Sequence, residues 1–239
     1  MRSLLSRLFR PRHADVVLVL GIARSGTSCV SGALSAAGVD FGSGLKPADW
    51  QNPKGNFEDE QLYRLNERLL SCYGSSWSSA RELPEDWRRT DAMMAEAREL
   101  ERILAGRFGK PGLHGLKDPR LVPLFPVYEE VFKRIGVAIW PVIVKRKKTE
   151  VLRSIERSGY FPAFTPQSGD ELYRFYMDKL DLIRSRSGAV SICYNELIER
   201  PAVEAERLCR QLPFGRNGLA VDMKAAAAWV DQTLYRNRS

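Results

Sequence analysis

The first sustained apolar run is Val16-Val17-Leu18-Val19-Leu20, with no polar position to break it. Such a run fits a strand buried on both faces of a parallel sheet. Gly21–Gly26 follows as a tight loop, and Thr27–Ala37 as a helix of small residues stopped by Gly38. Residues 39–56, rich in Gly, Pro and Asn, read as a long loop. Within Glu58–Tyr73, Leu62, Leu65, Leu69 and Leu70 recur at helical spacing, and Asp91–Arg107 predicts another amphipathic helix. Strands then read at Gly112–Lys117, Val137–Val144 and Ala189–Tyr194. Helices read at Leu124–Arg134, Thr149–Ser158, Gly169–Ser185 and Leu197–Leu212, and a short Ala-rich helix closes the chain. Pro141 weakens the strand that contains it. The alternation predicts one α/β domain over residues 15–239, behind a basic leader at 1–14, with a mainly parallel sheet between two helix layers.

Length and composition narrow this picture. A chain of 239 residues that is 44% hydrophobic can bury a full core, which argues against disorder. No apolar run approaches the ~20 residues of a membrane span. With 37 Lys+Arg against 29 Asp+Glu, the net charge of +8 favours an anionic partner: nucleic acid, a membrane surface or a phosphorylated small molecule. Four scattered cysteines (Cys29, Cys72, Cys193, Cys209), with only His13 and His114 to help them, disfavour a zinc site or a disulfide framework. Each lies in an apolar stretch and is expected buried and reduced, which suits a cytoplasmic protein. Met1–Arg10 is basic with a short apolar stripe. It reads as a frayed leader, or as a weak membrane-surface helix that would make the protein peripheral to the membrane; so few apolar residues anchor poorly.

Between the first strand and helix stands Gly21-Ile22-Ala23-Arg24-Ser25-Gly26-Thr27-Ser28. Glycines let the backbone turn tightly, and amides at a helix N-terminus point at a phosphate, to which Thr27 and Ser28 add hydroxyls. The alternative is a plain strand-to-helix turn; Arg24 favours the phosphate site, because a cation in so tight a turn has an anion to meet. A nucleotide-hydrolysing loop would place Lys where Thr27 stands. It would also need an acidic metal ligand ending a strand, for which Asp118 is the one weak candidate. The basic run Lys145-Arg146-Lys147-Lys148 directly follows a strand, which places Arg146 at the edge where ligands of parallel sheets gather. Ser154, eight residues on, is placed to join Arg146 around a phosphate. Two separate anion positions on one edge imply a ligand with two phosphate clusters.

These segments resemble the sulfotransferases that use 3′-phosphoadenylyl sulfate (PAPS). Ala23-Arg24-Ser25-Gly26-Thr27-Ser28 is similar to the Arg-bearing form of their 5′-phosphosulfate loop, and Arg146 with Ser154 to their 3′-phosphate site. Tyr194-Asn195-Glu196-Leu197 is similar to a segment that cradles the adenine, with an Asn inserted. Asn52–Asp59 and Leu116-Lys117-Asp118-Pro119-Arg120 look like signatures of bacterial members. The resemblance spans roughly residues 15–212 and implies a P-loop-containing three-layer α/β/α fold. It is closer to the carbohydrate and tyrosyl-protein members, whose base is a Glu after the phosphate loop, than to the phenol and steroid type. The C-terminal Arg-Lys-Gly of the family has only a loose echo in Phe214–Gly218.

The implied function is transfer of a sulfuryl group from PAPS to a hydroxyl or amine of a small-molecule or glycan acceptor, a carbohydrate or glycolipid, leaving PAP and requiring no metal. Arg24 would meet charge on the bridging oxygen and Lys117 would steady the sulfuryl group. Glu58 would be the general base, with Asp118 and His114 in reserve; its alternative role is that of a helix-starting acid. PAPS would lie against Arg24, Ser25, Gly26, Thr27, Ser28, Arg146, Ser154 and Tyr194. Trp50, Trp77 and Trp87 lie in or beside loops that could line an acceptor pocket. The rival readings are a P-loop kinase or ATPase and a basic nucleic-acid-binding domain; the second has no zinc-finger or RNA-binding signature behind it.

Overall fold

The computed structural model describes residues 14–159, 161, 163–217 and 219–234. The leader at Met1–Arg10 and His13 lie outside them. Strand β1, Ala14–Leu20, is buried at every position, as its unbroken apolar run requires. It is central, pairing in parallel with β2 (Gly112–Lys117) on one side and β3 (Ala138–Lys145) on the other. The fourth strand, β4 (Val190–Cys193), adds to β3, so the order is β2–β1–β3–β4, parallel throughout. Pro141 is accommodated because β4 begins only opposite Val142, leaving β1 as its one ladder neighbour.

Alternate residues of β1 feed two cores. Val16, Leu18 and Leu20 pack with Leu62, Leu65, Leu69 and Leu70 of α2 (Glu60–Ser71), and with α3 (Asp91–Arg107) and α4 (Phe125–Arg134). The same layer holds α5 (Lys148–Ser158) and α6 (Pro166–Ser187). Val17 and Val19 face the opposite layer, built from α1 (Thr27–Ala36), α7 (Tyr194–Glu199), α8 (Pro201–Arg210) and α9 (Met223–Trp229). The result is a three-layer α/β/α fold with a parallel sheet. Among the described residues, no helix is long and apolar enough to cross a membrane.

Three expectations are corrected. The single helix expected over Leu197–Leu212 is two, because Pro201 has no N–H to donate and instead opens α8 in its first turn. Tyr194 opens α7 and does not extend β4. All four cysteines are free, but only Cys209 is buried; Cys29, Cys72 and Cys193 are partly exposed.

Parallel pairing sends every strand's C-terminal end to one edge. In register, Lys117 lies beside Val19, two residues before the glycine loop. The edge depends on the α2 seam, where Leu65 is fully buried. Leu65→Ala is expected to destabilise the chain by about 2–5 kcal/mol in chemical unfolding; a loss below about 1 kcal/mol would contradict this packing.

Candidate functional site

The Gly21–Gly26 loop closes with the Ser25 N–H on the Ile22 carbonyl at 3.1 Å. Two of its residues take left-handed backbone, Arg24 (φ 71°) and Gly26 (φ 98°). Gly26 is required twice over, since a Cβ there would stand 2.3 Å from the Tyr194 ring. Helix α1 starts at once with Thr27, with no acidic residue in its first turn and no side-chain cap among the described residues. Beneath the loop, the Ser25 hydroxyl is buried and has no hydrogen-bond partner there.

In front of the loop is a cavity of about 450 Å³, within the range of small-ligand sites. Arg24, Gly26, Thr27, Ser28, Glu58, Lys117, Arg146, Ser154 and Tyr194 all line it. Of the expected site residues only Ser25 does not. Six cationic side chains and two carboxylates, Asp49 and Glu58, share the wall, so the cavity suits an anion.

Glu58 and Lys117 form its most buried contact. The Lys117 ammonium donates to Glu58 Oε1 at 2.6 Å and to the Asn56 carbonyl at 3.0 Å. Its side chain is 4% exposed and that of Glu58 11%. Burial pushes the Glu58 carboxyl up, but Lys117, Lys46 and Arg120 outweigh it and hold the group below the usual carboxylate range. Glu58 does not start a helix: Asp59 caps α2, accepting from the Leu62 N–H at 2.8 Å, so the dipole role belongs to Asp59. Just before Glu58, Phe57 takes left-handed backbone (φ 58°), a conformation that costs of order 1–3 kcal/mol. Edge-to-face contacts with Phe41 and Trp229 hold its ring in place.

The two anion positions adjoin each other, contrary to expectation. Ser154 accepts from Arg24 Nε at 3.0 Å, so the serine assigned to Arg146 is engaged by the loop arginine. Arg146 Nη1 donates to the Arg24 carbonyl at 3.1 Å, and its guanidinium lies 4.9 Å over the Tyr194 ring. Glu150 orients Arg146, accepting from Nε at 2.8 Å. The other Glu150 oxygen accepts from the Asn195 amide at 3.0 Å, which gives the inserted asparagine a role. Of the basic run only Arg146 reaches the cavity; Lys145 and Lys148 pair with Asp181 and Asp170 on the surface.

Neither reserve base lines the cavity. Asp118 is buried and accepts from the Arg120 backbone, the Arg120 guanidinium and Asn66, at 2.9 to 3.1 Å. Burial pushes its carboxyl up, with Arg120 opposing. The same commitment removes it as a metal ligand at the strand end. His114 lies mid-strand, with Asp40 3.6 Å from Nδ1 and the Lys110 carbonyl 3.2 Å from Nε2. Trp50 and Trp77 line the cavity, but Trp87 is buried in the core.

Sequence reasoning missed Lys46 and Tyr63, which also line the cavity. The Lys46 ammonium lies 3.9 Å over the Tyr63 ring and 3.6 Å from Glu58 Oε2. No motif marks Lys46; its place follows from how residues 39–56 fold. There Asn56 donates to the Pro47 carbonyl and Asp49, and Asp49 accepts from the Gln51 and Asn52 amides. The run of Asp and Asn was the available signal for such side-chain-closed turns.

Compared with known proteins, the chain matches no family model and no curated sequence. Among solved structures it is similar to the sulfotransferase domain of the Synechococcus PCC 7002 olefin synthase, with 16% identity and a TM-score of 0.48 over 91% of this chain and 78% of that one. It is also similar to sulfotransferase STF1 from Mycobacterium tuberculosis H37Rv, with 15% identity and a TM-score of 0.46 over 95% of this chain and 74% of that one.

A depressed carboxyl contributes stability above the ordinary glutamate range near 4.3 and loses it as pH falls through its lower folded value. Glu58→Gln is therefore expected to cost about 3 kcal/mol at neutral pH, by breaking a buried pair. Urea unfolding from about pH 5.5 down to about pH 3 should show the gap to wild type closing. A gap constant with pH would contradict the assignment.

Proposed function

We propose that this chain is a sulfotransferase that moves a sulfuryl group from PAPS to a hydroxyl or amine of an acceptor. The observation that carries the reading is the cationic cavity at the strand ends in which a buried Lys117–Glu58 pair shares the wall with Arg24 of the loop that precedes α1. The residues fit a doubly phosphorylated nucleotide. The α1 amides, Thr27 and Ser28 supply donors for one phosphate group, and Arg146, held by Glu150, supplies a forked donor for the other; Ser25, buried off the cavity wall, is not among them. Ser154 lines the cavity and accepts from Arg24, so its own hydroxyl hydrogen would be offered on the Arg24 side. Tyr194, under Arg146, lines the same wall, where the adenine would lie.

PAPS, when bound, supplies a sulfuryl group on a phosphate leaving group. The chain's task is to neutralise charge and move one proton. Arg24 stays charged and forks onto the departing phosphate oxygen. Lys117 reaches the sulfuryl oxygens from the end of β2, and Glu58, ionised at neutral pH, takes the acceptor proton. Trp50 and Trp77 on the wall offer faces on which sugar rings stack, which supports a carbohydrate or glycolipid acceptor. Thr27 in place of the loop lysine and the engaged Asp118 both weigh against the kinase reading.

Isothermal titration tests the proposal. Adenosine 3′,5′-bisphosphate should bind without added metal and more tightly than ATP–Mg²⁺. Arg146→Ala should weaken it by roughly tenfold or more, the value of a charged hydrogen bond. Arg24→Ala should abolish transfer and leave the unfolding midpoint unchanged. Preferred binding of ATP–Mg²⁺, or near-normal turnover in the Arg24 variant, would overturn the reading.

A further inference from the structure

Glu58 is held by two lysines, one on each oxygen. Lys117 takes Oε1 at 2.6 Å, and Lys46 stands 3.6 Å from Oε2. They arrive from different elements, Lys117 from the end of β2 and Lys46 from the loop that precedes α2. The Lys46 position is set by the backbone. Leu45 and Asp59 form an antiparallel bridge, the Lys46 N–H donates to the Glu58 carbonyl at 2.7 Å, and the Glu60 N–H donates to the Gly44 carbonyl at 2.9 Å. Lys46 and Glu58 are thus direct cross-strand partners with side chains on one face, while Asp59 turns away to cap α2 and pair with Arg107. A second hold comes from Tyr63 on α2, whose ring lies 3.9 Å from the Lys46 ammonium and 4.3 Å from the Arg120 guanidinium.

The two lysines have different prospects in the reaction. Lys117 stands on the strand end beside the phosphate loop, and stabilising a sulfuryl oxygen draws its ammonium away from Glu58. Lys46 is tied to Glu58 through the backbone ladder and to α2 through Tyr63. We propose that Lys46 is the positioning residue of the base: it keeps the Glu58 carboxylate in place and charge-paired while Lys117 turns to the donor. This rests on the sulfotransferase reading of the site.

The charged groups around the carboxylate are Lys117, Lys46 and Arg120 as cations and the neighbouring Asp118 as an acid. Arg120 is committed to Asp118 and Glu67. Without Lys46, a departing Lys117 leaves the carboxylate beside an acid and one engaged cation, free to rotate and to bind a proton from solvent.

The test is a pH titration of ¹³C-carboxyl-labelled glutamate by NMR, with the Glu58 signal assigned by Glu58→Gln, on the full chain with and without adenosine 3′,5′-bisphosphate. The Glu58 midpoint should move up in Lys46→Met and return to the wild-type value in Lys46→Arg. In PAPS-dependent transfer, Lys46→Met should lower kcat by roughly tenfold, a part of the 10²–10⁴ a base supplies. It should raise the acid limb of the pH profile and leave the KM for PAPS unchanged, with Lys46→Arg again restoring both. An unmoved Glu58 midpoint in Lys46→Met, or an equal shift in Lys46→Arg, would overturn the inference. Absence of transfer by the wild-type chain would count against the sulfotransferase reading instead, and the NMR titration would still decide whether Lys46 holds Glu58.

Discussion

The ion pair between Lys117 and Glu58 is the contact around which the site is arranged. Burying two charges is costly, and such a pair lends a fold little net stability compared with apolar residues of the same shape. Its presence therefore calls for a chemical reason, and the surroundings supply one. Parallel pairing with β1 puts Lys117 beside Val19, two residues before the glycine loop. The short antiparallel ladder between residues 44–46 and 58–60 delivers Glu58 opposite it. Phe57 holds a strained left-handed backbone to make that delivery. Arg24 is the other non-glycine residue in that conformation among the described residues, and it lines the cavity, as does Glu58 next to Phe57. Strain concentrated where charged groups converge is the pattern of a site built for function.

A second layer fixes the cations. Glu150 and Asn195 form a relay that clamps Arg146, and Arg146 in turn holds the carbonyl of Arg24. The loop and the basic edge, which look independent along the chain, are one hydrogen-bonded unit. The net charge of +8 is thereby partly explained: cations outnumber carboxylates in the cavity, while Lys145 and Lys148 of the basic run pair on the surface.

Much of the fold was legible because it follows from local patterns. An unbroken apolar run marked the central strand, the leucine spacing of α2 marked its buried face, and the glycine loop sat between a strand and a helix as its chemistry requires. The bounds of α3 and β2 were read to the residue. Misreadings came where one residue overrides a pattern, as Pro201 does by dividing an amphipathic run into α7 and α8. In the site, the expected residues converge because parallel strands share an edge, a constraint that topology alone imposes. Lys46 was invisible because its position depends on a non-local ladder within a loop, and side-chain partners such as Ser154 with Arg24 depend on rotamers that spacing does not encode.

The most direct test of the account is a label-transfer assay with two donors. The purified chain is incubated with a panel of sugar and glycolipid acceptors and either ³⁵S-labelled PAPS or γ-³²P-labelled ATP with Mg²⁺. The account predicts ³⁵S on a hydroxyl or amine of at least one acceptor, lost in Glu58→Gln, and no ³²P on any. Transfer of ³²P, or ³⁵S transfer undiminished in Glu58→Gln, would contradict it.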